Sequence, residues 1–222
     1  MSAIERTLLT VSSCGIVSGS DYSTFEQNDS NSDGTYTVSD TANDNGTPIT
    51  RVTLCSTNED TWVIFRIVYT VTGVATRYSD VGELYWKFVS DGWEVPSENV
   101  VCTVDLPVPL AETISVGDNV RVWAHGPLSG TITTGGDRVR ATVPSVSSGE
   151  YAELRVTMPS SWLLDMDAVD EERLDTILQE EKGWAEETNA RRTQARIIGA
   201  SMRLFPRENY LKKIRGFYLQ AN

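Results

Sequence analysis

Short segments of β-prone side chains, separated at close intervals by turn-forming residues, run through most of this 222-residue sequence. The segments with the best strand pattern are 7–11, 35–38, 50–54, 61–73, 83–89, 100–106, 119–124, 131–134, 138–143 and 152–158. Many short strands with regular turn signals are typical of an antiparallel sandwich and not of alternating strands and helices. We therefore expect a mainly β fold, with an antiparallel immunoglobulin-like β-sandwich over residues 1–162.

The clearest strand pattern covers residues 61–73. The odd positions of this segment are apolar and favour strands: Val63, Phe65, Ile67, Tyr69 and Val71. The even positions are mixed in character. Because successive side chains of a strand point to opposite faces, this alternation predicts that the odd positions are buried in a core.

The pattern changes near Pro159, after which apolar residues recur at the spacing of an α-helix. Asp167 is a candidate N-cap, and the acidic residues that follow it suit the positive end of a helix. The helix is expected to run to about Ile198, before Gly199 and Pro206 interrupt it. We therefore predict a helical, juxtamembrane-like extension over residues 163–222.

Charge is distributed unevenly along the chain. The formal net charge is −12; residues 190–222 hold eight basic residues and one acid, or +7, which leaves −19 on residues 1–189. The acidic balance argues against general binding of nucleic acid, which depends on Lys and Arg neutralising phosphates. An acidic body with a basic end indicates two different environments or partners.

The basic end also carries a second amphipathic stretch. Its apolar face consists of Tyr210, Leu211, Ile214, Phe217 and Tyr218. This face is too apolar to stay in water, so packing on the sandwich or on another copy of the chain is the first interpretation. Contact with an anionic membrane surface and a solvated helix are the alternatives. Self-association through residues 163–222 is therefore one expected interaction.

Cysteine usage leaves the redox state open. Cys14, Cys55 and Cys102 make an odd count, without a CxxC pair and with a single His, which argues against a zinc site. One disulfide with one free thiol and three reduced, buried thiols are both compatible with the sequence.

Several stretches resemble one family of proteins. They are 69–73 (YTVTG), 83–86 (ELYW), 92–96 (GWEVP), 104–107 (VDLP), 125–130 (HGPLSG) and 153–159 (ELRVTMP). Together they resemble the YciQ-like family of predicted bacterial membrane proteins of unknown function. The resemblance implies an extracytoplasmic sandwich, attached to the cell membrane by segments of the full-length protein that are absent from this chain. The family has no assigned activity, so the resemblance implies no catalytic residue.

A calcium-loop spacing occurs near the N-terminus. Asp29, Asn31, Asp33 and Asp40 occupy positions 1, 3, 5 and 12 of the pattern, with Gly34 at the turn position. Oxygen ligands at alternate positions let a short loop surround one cation. Position 12 is Asp where a bidentate Glu is usual, and the region is rich in Asn, Asp and Ser. A polar hairpin loop is therefore the alternative to a calcium site, and no other cofactor is expected.

Aromatic side chains provide the second candidate site. Trp86, Trp93 and Trp123 could stack on sugar rings if they are exposed in a row, although aromatic residues more often fill cores. Nearby carboxylates such as Glu83 could form an acid–base pair only if they converge in a cleft. We therefore expect a non-enzymatic, extracytoplasmic interaction or sensing domain with a cell-wall or protein partner. A wall- or carbohydrate-binding module and an assembly domain that pairs through its C-terminal helices are the alternatives.

Overall fold

The computed structural model describes residues 9–42, 48–58 and 61–204. Over this range the fold is mainly β, with several antiparallel sheets and one C-terminal helix, as the strand pattern predicts. The chain divides into two compact units, one of residues Met1–Thr76 and Leu84–Lys87, the other of Arg77–Glu83 and Phe88–Asn222. The immunoglobulin-like topology and the domain boundary at 162/163 stay predictions.

The first unit contains two three-stranded sheets. One has the order β2-β1-β6 and the other β3-β4-β5. The strands are β1 (Leu9–Ser18), β2 (Asp21–Thr24), β3 (Glu26–Gln27), β4 (Thr35–Ala42), β5 (Pro48–Cys55) and β6 (Ile64–Val71). Cys14 and Tyr36 are among the buried side chains of this unit. The predicted segments 35–38 and 50–54 thus lie in two paired strands, β4 and β5.

Strand β6 differs from the prediction for its odd positions. Of these positions Phe65, Ile67 and Tyr69 are exposed, and Val63 and Val71 are only half-buried, so the alternation does not place one face of this strand in a core. Phe65 packs edge-on against Phe25, with ring centroids 6.5 Å apart. The prediction of burial was wrong because alternation specifies two faces of a strand but not whether another layer covers either of them.

The second unit contains a three-stranded sheet of order β11-β12-β9 and most of a five-stranded sheet of order β10-β13-β8-β7-β14. Residues 75–76 of β7 and 84–87 of β8 belong to the first unit. The strands are β7 (Ala75–Tyr78), β8 (Gly82–Val89), β9 (Ser97–Asp105), β10 (Arg121–His125), β11 (Thr131–Gly135), β12 (Arg138–Val146), β13 (Ala152–Met158) and β14 (Ala168–Val169). Val143, Val146 and Ala152 form a buried cluster with Phe88 and Val100 packed against it. This packing joins β12 to β13 and fixes the strand that carries the site described below.

The C-terminal helix, α1, covers Leu174–Leu204 and begins later than predicted. Asp167 is not its N-cap, because Ala168–Val169 forms β14 and pairs in parallel with β7. Instead the Asp80 carboxylate accepts hydrogen bonds from the backbone N–H groups of Arg173 (2.9 Å) and Leu174 (3.0 Å). A carboxylate remote in sequence thus satisfies the free donors at the start of the helix.

The structure describes only part of the predicted helical extension, up to Leu204. Helix α1 continues through Gly199, where an interruption was predicted. The apolar face at Tyr210, Leu211, Ile214, Phe217 and Tyr218 lies outside the described residues, so the self-association hypothesis stays a prediction.

All three cysteines are free thiols. Cys14 is fully buried, and burial raises the pKa of its thiol. Cys102 is half-buried on β9, and burial raises the pKa of this thiol as well. The structure therefore agrees only in part with the alternative of three reduced, buried thiols, because Cys55 and Cys102 are half-buried.

Candidate functional site

The site is built on the pairing of β10 with β13. The register sets Trp123 opposite Arg155 and His125 opposite Glu153. Because alternate residues of a strand share a face, these four side chains lie on the same face of the sheet. The other face of β13 carries apolar side chains such as Leu154, which is fully buried. Strand β13 is therefore covered on both faces, with polar groups concentrated on one of them.

Arg155 is the centre of a buried ion cluster. Its side chain is 2% exposed, and it contacts carboxylates of Glu83 on β8 (2.6 Å), Glu180 (2.9 Å) and Glu181 (3.1 Å) on α1. Burial alone lowers the pKa of Arg155, but the hydrogen bonds with Glu181 and Glu180 and the charge of Glu83 raise it above its usual value. The guanidinium thus stays charged and connects α1 to two strands of the sheet.

His125 extends this cluster towards solvent. Its Nε2 lies 2.8 Å from Glu181 Oε2, and its Nδ1 lies 3.4 Å from Glu153 Oε1. The imidazole also meets the ring of Trp184 edge-on, with centroids 4.9 Å apart. Helix α1 therefore contacts β10 through a hydrogen bond between Glu181 and His125 and through the aromatic pair of Trp184 and His125.

A cleft of about 870 Å³ opens beside His125. Its aromatic walls come from three elements and the turn before β13: Phe88, Trp123, Tyr151 and Trp184. Three carboxylates also line it: Glu153, Glu181 and Glu187. Trp184 and Tyr151 are 39% and 38% exposed, so part of each ring remains accessible to a ligand.

Gly126 allows the chain to close one wall of this cleft. Its φ is 130°, a conformation that L side chains rarely adopt, and a Cβ here would lie 2.3 Å from the carbonyl oxygen of Tyr151. Only glycine lets the segment after β10 approach the turn before β13 this closely.

The three tryptophans proposed as a sugar-binding row do not all lie at this cleft. Trp123 lines the cleft, and its most direct neighbour in register is Arg155. Trp93 is 55% exposed and does not line the cleft. Trp86 is half-buried on β8 and belongs to the first unit. The structure therefore brings one of the three to the cleft, and the sugar-binding hypothesis stays untested.

The sequence prediction missed the other residues of the site, above all Arg155, Glu181 and Trp184. One signal could have found Arg155, since a charged residue between Leu154 and Val156 in an otherwise buried strand requires charged partners. Which carboxylates provide them is not visible in the sequence, because Glu83 and Glu181 are separated from Arg155 by 72 and 26 residues.

The calcium-loop residues lie in the first unit. Asp29, Asn31 and Asp33 are exposed in the loop between β3 and β4, whereas Asp40 lies within β4. Asp33 accepts a hydrogen bond from the backbone N–H of Thr57 (2.6 Å). Asp40 accepts one from the Thr50 hydroxyl (3.0 Å).

No group of three or more His, Cys, Asp or Glu side chains suited to a metal occurs in the part of the chain that the structure describes. The amide of Asn31 is not one of these side-chain types, so the calcium hypothesis stays a prediction.

The comparisons with known proteins give the family. The model described as "Predicted membrane protein (DUF2207) N-terminal domain" matches residues 4–158, well over half of the chain. Neither a curated protein nor a solved structure matches the sequence. Among residues 9–42, 48–58 and 61–204, no helix has the length and apolar character needed to cross a bilayer. The chain belongs to the family of predicted membrane proteins of unknown function that share this N-terminal domain.

Proposed function

We propose that this chain is a non-enzymatic, extracytoplasmic interaction domain of a bacterial membrane protein, and that it binds its ligand in the cleft beside His125. The observation that supports a binding role is the cleft itself. Its volume of about 870 Å³ falls in the range of about 300–1,000 Å³ that is usual for small-molecule sites. Partly exposed aromatic rings on its walls offer apolar and stacking surfaces to a ligand.

A binding role fits the carboxylates better than a catalytic role. Glu83 and Glu181 converge as an acid–base pair would, but both carboxylates contact the buried guanidinium of Arg155.

The extracytoplasmic location rests on the family and on the resemblance of residues 60–162 to YciQ-like proteins. An export-dependent reporter tests it directly. Alkaline phosphatase fused after residue 158 of the full-length protein should be active in intact bacteria. An inactive fusion that is present at normal levels would place the domain in the cytoplasm instead.

The binding role is tested by co-sedimentation with purified bacterial cell wall. We expect the chain to sediment with the wall, and Trp123→Ala and Trp184→Ala each to reduce the bound fraction at least severalfold. Trp93→Ala is the matched control, because Trp93 is exposed but lies outside the cleft lining. Melting curves of all three variants establish that they are folded at the assay temperature.

Two results would contradict parts of the proposal. Loss of sedimentation in Trp93→Ala alone would move the binding site away from the cleft. Absence of sedimentation for the unsubstituted chain would exclude the wall as the ligand source and favour a protein partner.

A further inference from the structure

Strand β6 is an edge of its sheet. In the sheet of order β2-β1-β6, β1 is the one described strand that pairs with β6. The other side of β6 therefore presents a row of backbone N–H and C=O groups with which a further strand can pair. The strand has eight residues, Ile64–Val71, which is long enough for a full contact between two strands.

Large apolar side chains are exposed on both faces of β6. Phe65, Ile67 and Tyr69 share one face, Ile64 and Val68 share the other, and all five are more than a third exposed. Each of the other described strands exposes at most one large apolar side chain. A strand that pairs with β6 must itself be apolar on both faces and open at one edge. Within the part of the chain that the structure describes, that strand is β6.

We propose that β6 pairs antiparallel with β6 of a second copy of the chain, which joins two three-stranded sheets into one sheet of six strands. Both copies then use the same surface, as in the common two-fold dimer. The two-fold axis lies perpendicular to the sheet and keeps each side chain on its own face. It must therefore pass through a residue, because residues directly opposite each other in an antiparallel pair share a face.

Charge and aromatic character select the residue on the axis. Arg66 is the charged residue of β6, and an axis through it would set two like charges opposite each other, which is destabilising. An axis through Ile67 sets Arg66 opposite Val68 of the other copy. It also sets Phe65 of each copy opposite Tyr69 of the other, which gives two aromatic cross-strand pairs. The proposed register is therefore centred on Ile67.

This inference goes beyond the proposed function, because it concerns the first unit and needs no ligand in the cleft. A contact between two edge strands falls at or below about 1,200 Å², the low end of protein interfaces, so we expect a dissociation constant in the micromolar range. Sedimentation equilibrium of the full chain over a concentration series measures it. A chain that stays monomeric up to millimolar concentration would overturn the inference.

Opposite charges at the axis test the register. Ile67→Lys and Ile67→Glu should each be monomeric where the unsubstituted chain is a dimer, because two like charges then face each other. Mixed in equal amounts, the two variants should form a one-to-one dimer at least tenfold tighter than either variant alone. Circular dichroism melts establish that both variants are folded. A dimer that survives in each variant alone would overturn the pairing through β6.

The neighbouring position separates this register from a shift by one residue. Val68→Glu would face Arg66 of the other copy and should dimerise at least tenfold more tightly than Val68→Lys, which would face it with a like charge. Thr133→Lys and Thr133→Glu are the matched controls on β11, and they should leave the association unchanged, alone or mixed. Recovery of the dimer in a mixture of the two Val68 variants, but not of the two Ile67 variants, would overturn the register centred on Ile67.

Discussion

At the scale of single residues, Arg155 has the most unusual environment in the second unit. It is 1% exposed in a strand whose neighbours are apolar, and three carboxylates surround it. A buried ion cluster of this kind adds little stability compared with apolar packing, because its charges must give up water. Its contribution is to position the helix, because the guanidinium contacts carboxylates on both β8 and α1.

Truncating this residue should be costly. Arg155→Ala leaves Glu83 and Glu181 buried without their cation, and we expect the free energy of unfolding to fall by about 3–5 kcal/mol. Urea denaturation followed by tryptophan fluorescence measures the change. Arg138→Ala is the control, because Arg138 and its partner Asp105 are more than half exposed, and its effect should be small. Similar midpoints for both variants would show that the cluster is not the connection between helix and sheet.

At the scale of elements, the start of α1 shows how two parts of the sequence act together. Asp80, in the turn between β7 and β8, caps a helix whose first residue is Leu174. The hydrogen bond from Ser79 N–H to the carbonyl oxygen of Glu171 holds the two segments side by side. The helix therefore begins where β7 and its turn can reach it, and not where Asp167 would start it.

Asp80→Ala tests this cap. The substitution removes both acceptors from the backbone N–H groups of Arg173 and Leu174, so the free energy of unfolding should fall by about 1 kcal/mol. Asp80→Asn keeps one acceptor and should lose less. Denaturant melts compare the two, with circular dichroism as the helix signal. A larger loss in Asp167→Ala than in Asp80→Ala would restore Asp167 as the cap.

At the scale of the whole molecule, the exposed strand β6 creates a risk of association. Among the described strands it pairs with β1 alone, and it exposes Ile64, Phe65 and Ile67. Long, apolar edge strands pair readily with other chains. We therefore expect association through β6, independently of the predicted contact between C-terminal helices.

Light scattering over a concentration series distinguishes the two routes. Ile67→Lys should raise the concentration at which association begins by about tenfold or more, because it removes a large apolar side chain from the contact. Thr133→Lys adds the same charge to β11, an edge strand of the second unit, and should have no effect. Association that both variants retain, and that removal of residues 205–222 abolishes, would assign it to the C-terminal segment instead.

Local sequence patterns were enough to predict most of the strands and the C-terminal helix of this protein. Alternating side chains and turn residues were sufficient to predict β8 and β12 within a few residues, because strand formation depends on neighbours in sequence. They also predicted a mainly β fold with a C-terminal helix. The predicted burial of β6 failed because another layer must cover a strand, and periodicity contains no information about that layer.

The candidate site was decided by the tertiary structure. Trp123 was a candidate from composition, but Trp184 and Tyr151, which line the same cleft, come from a helix and a turn further along the chain. The sequence shows that Arg155 is a charged residue in an apolar strand. The carboxylates that contact it become its neighbours only when β8, β13 and α1 pack together. Charge and aromatic character are properties of the sequence, but the distances that turn them into a cleft are set by packing between remote segments.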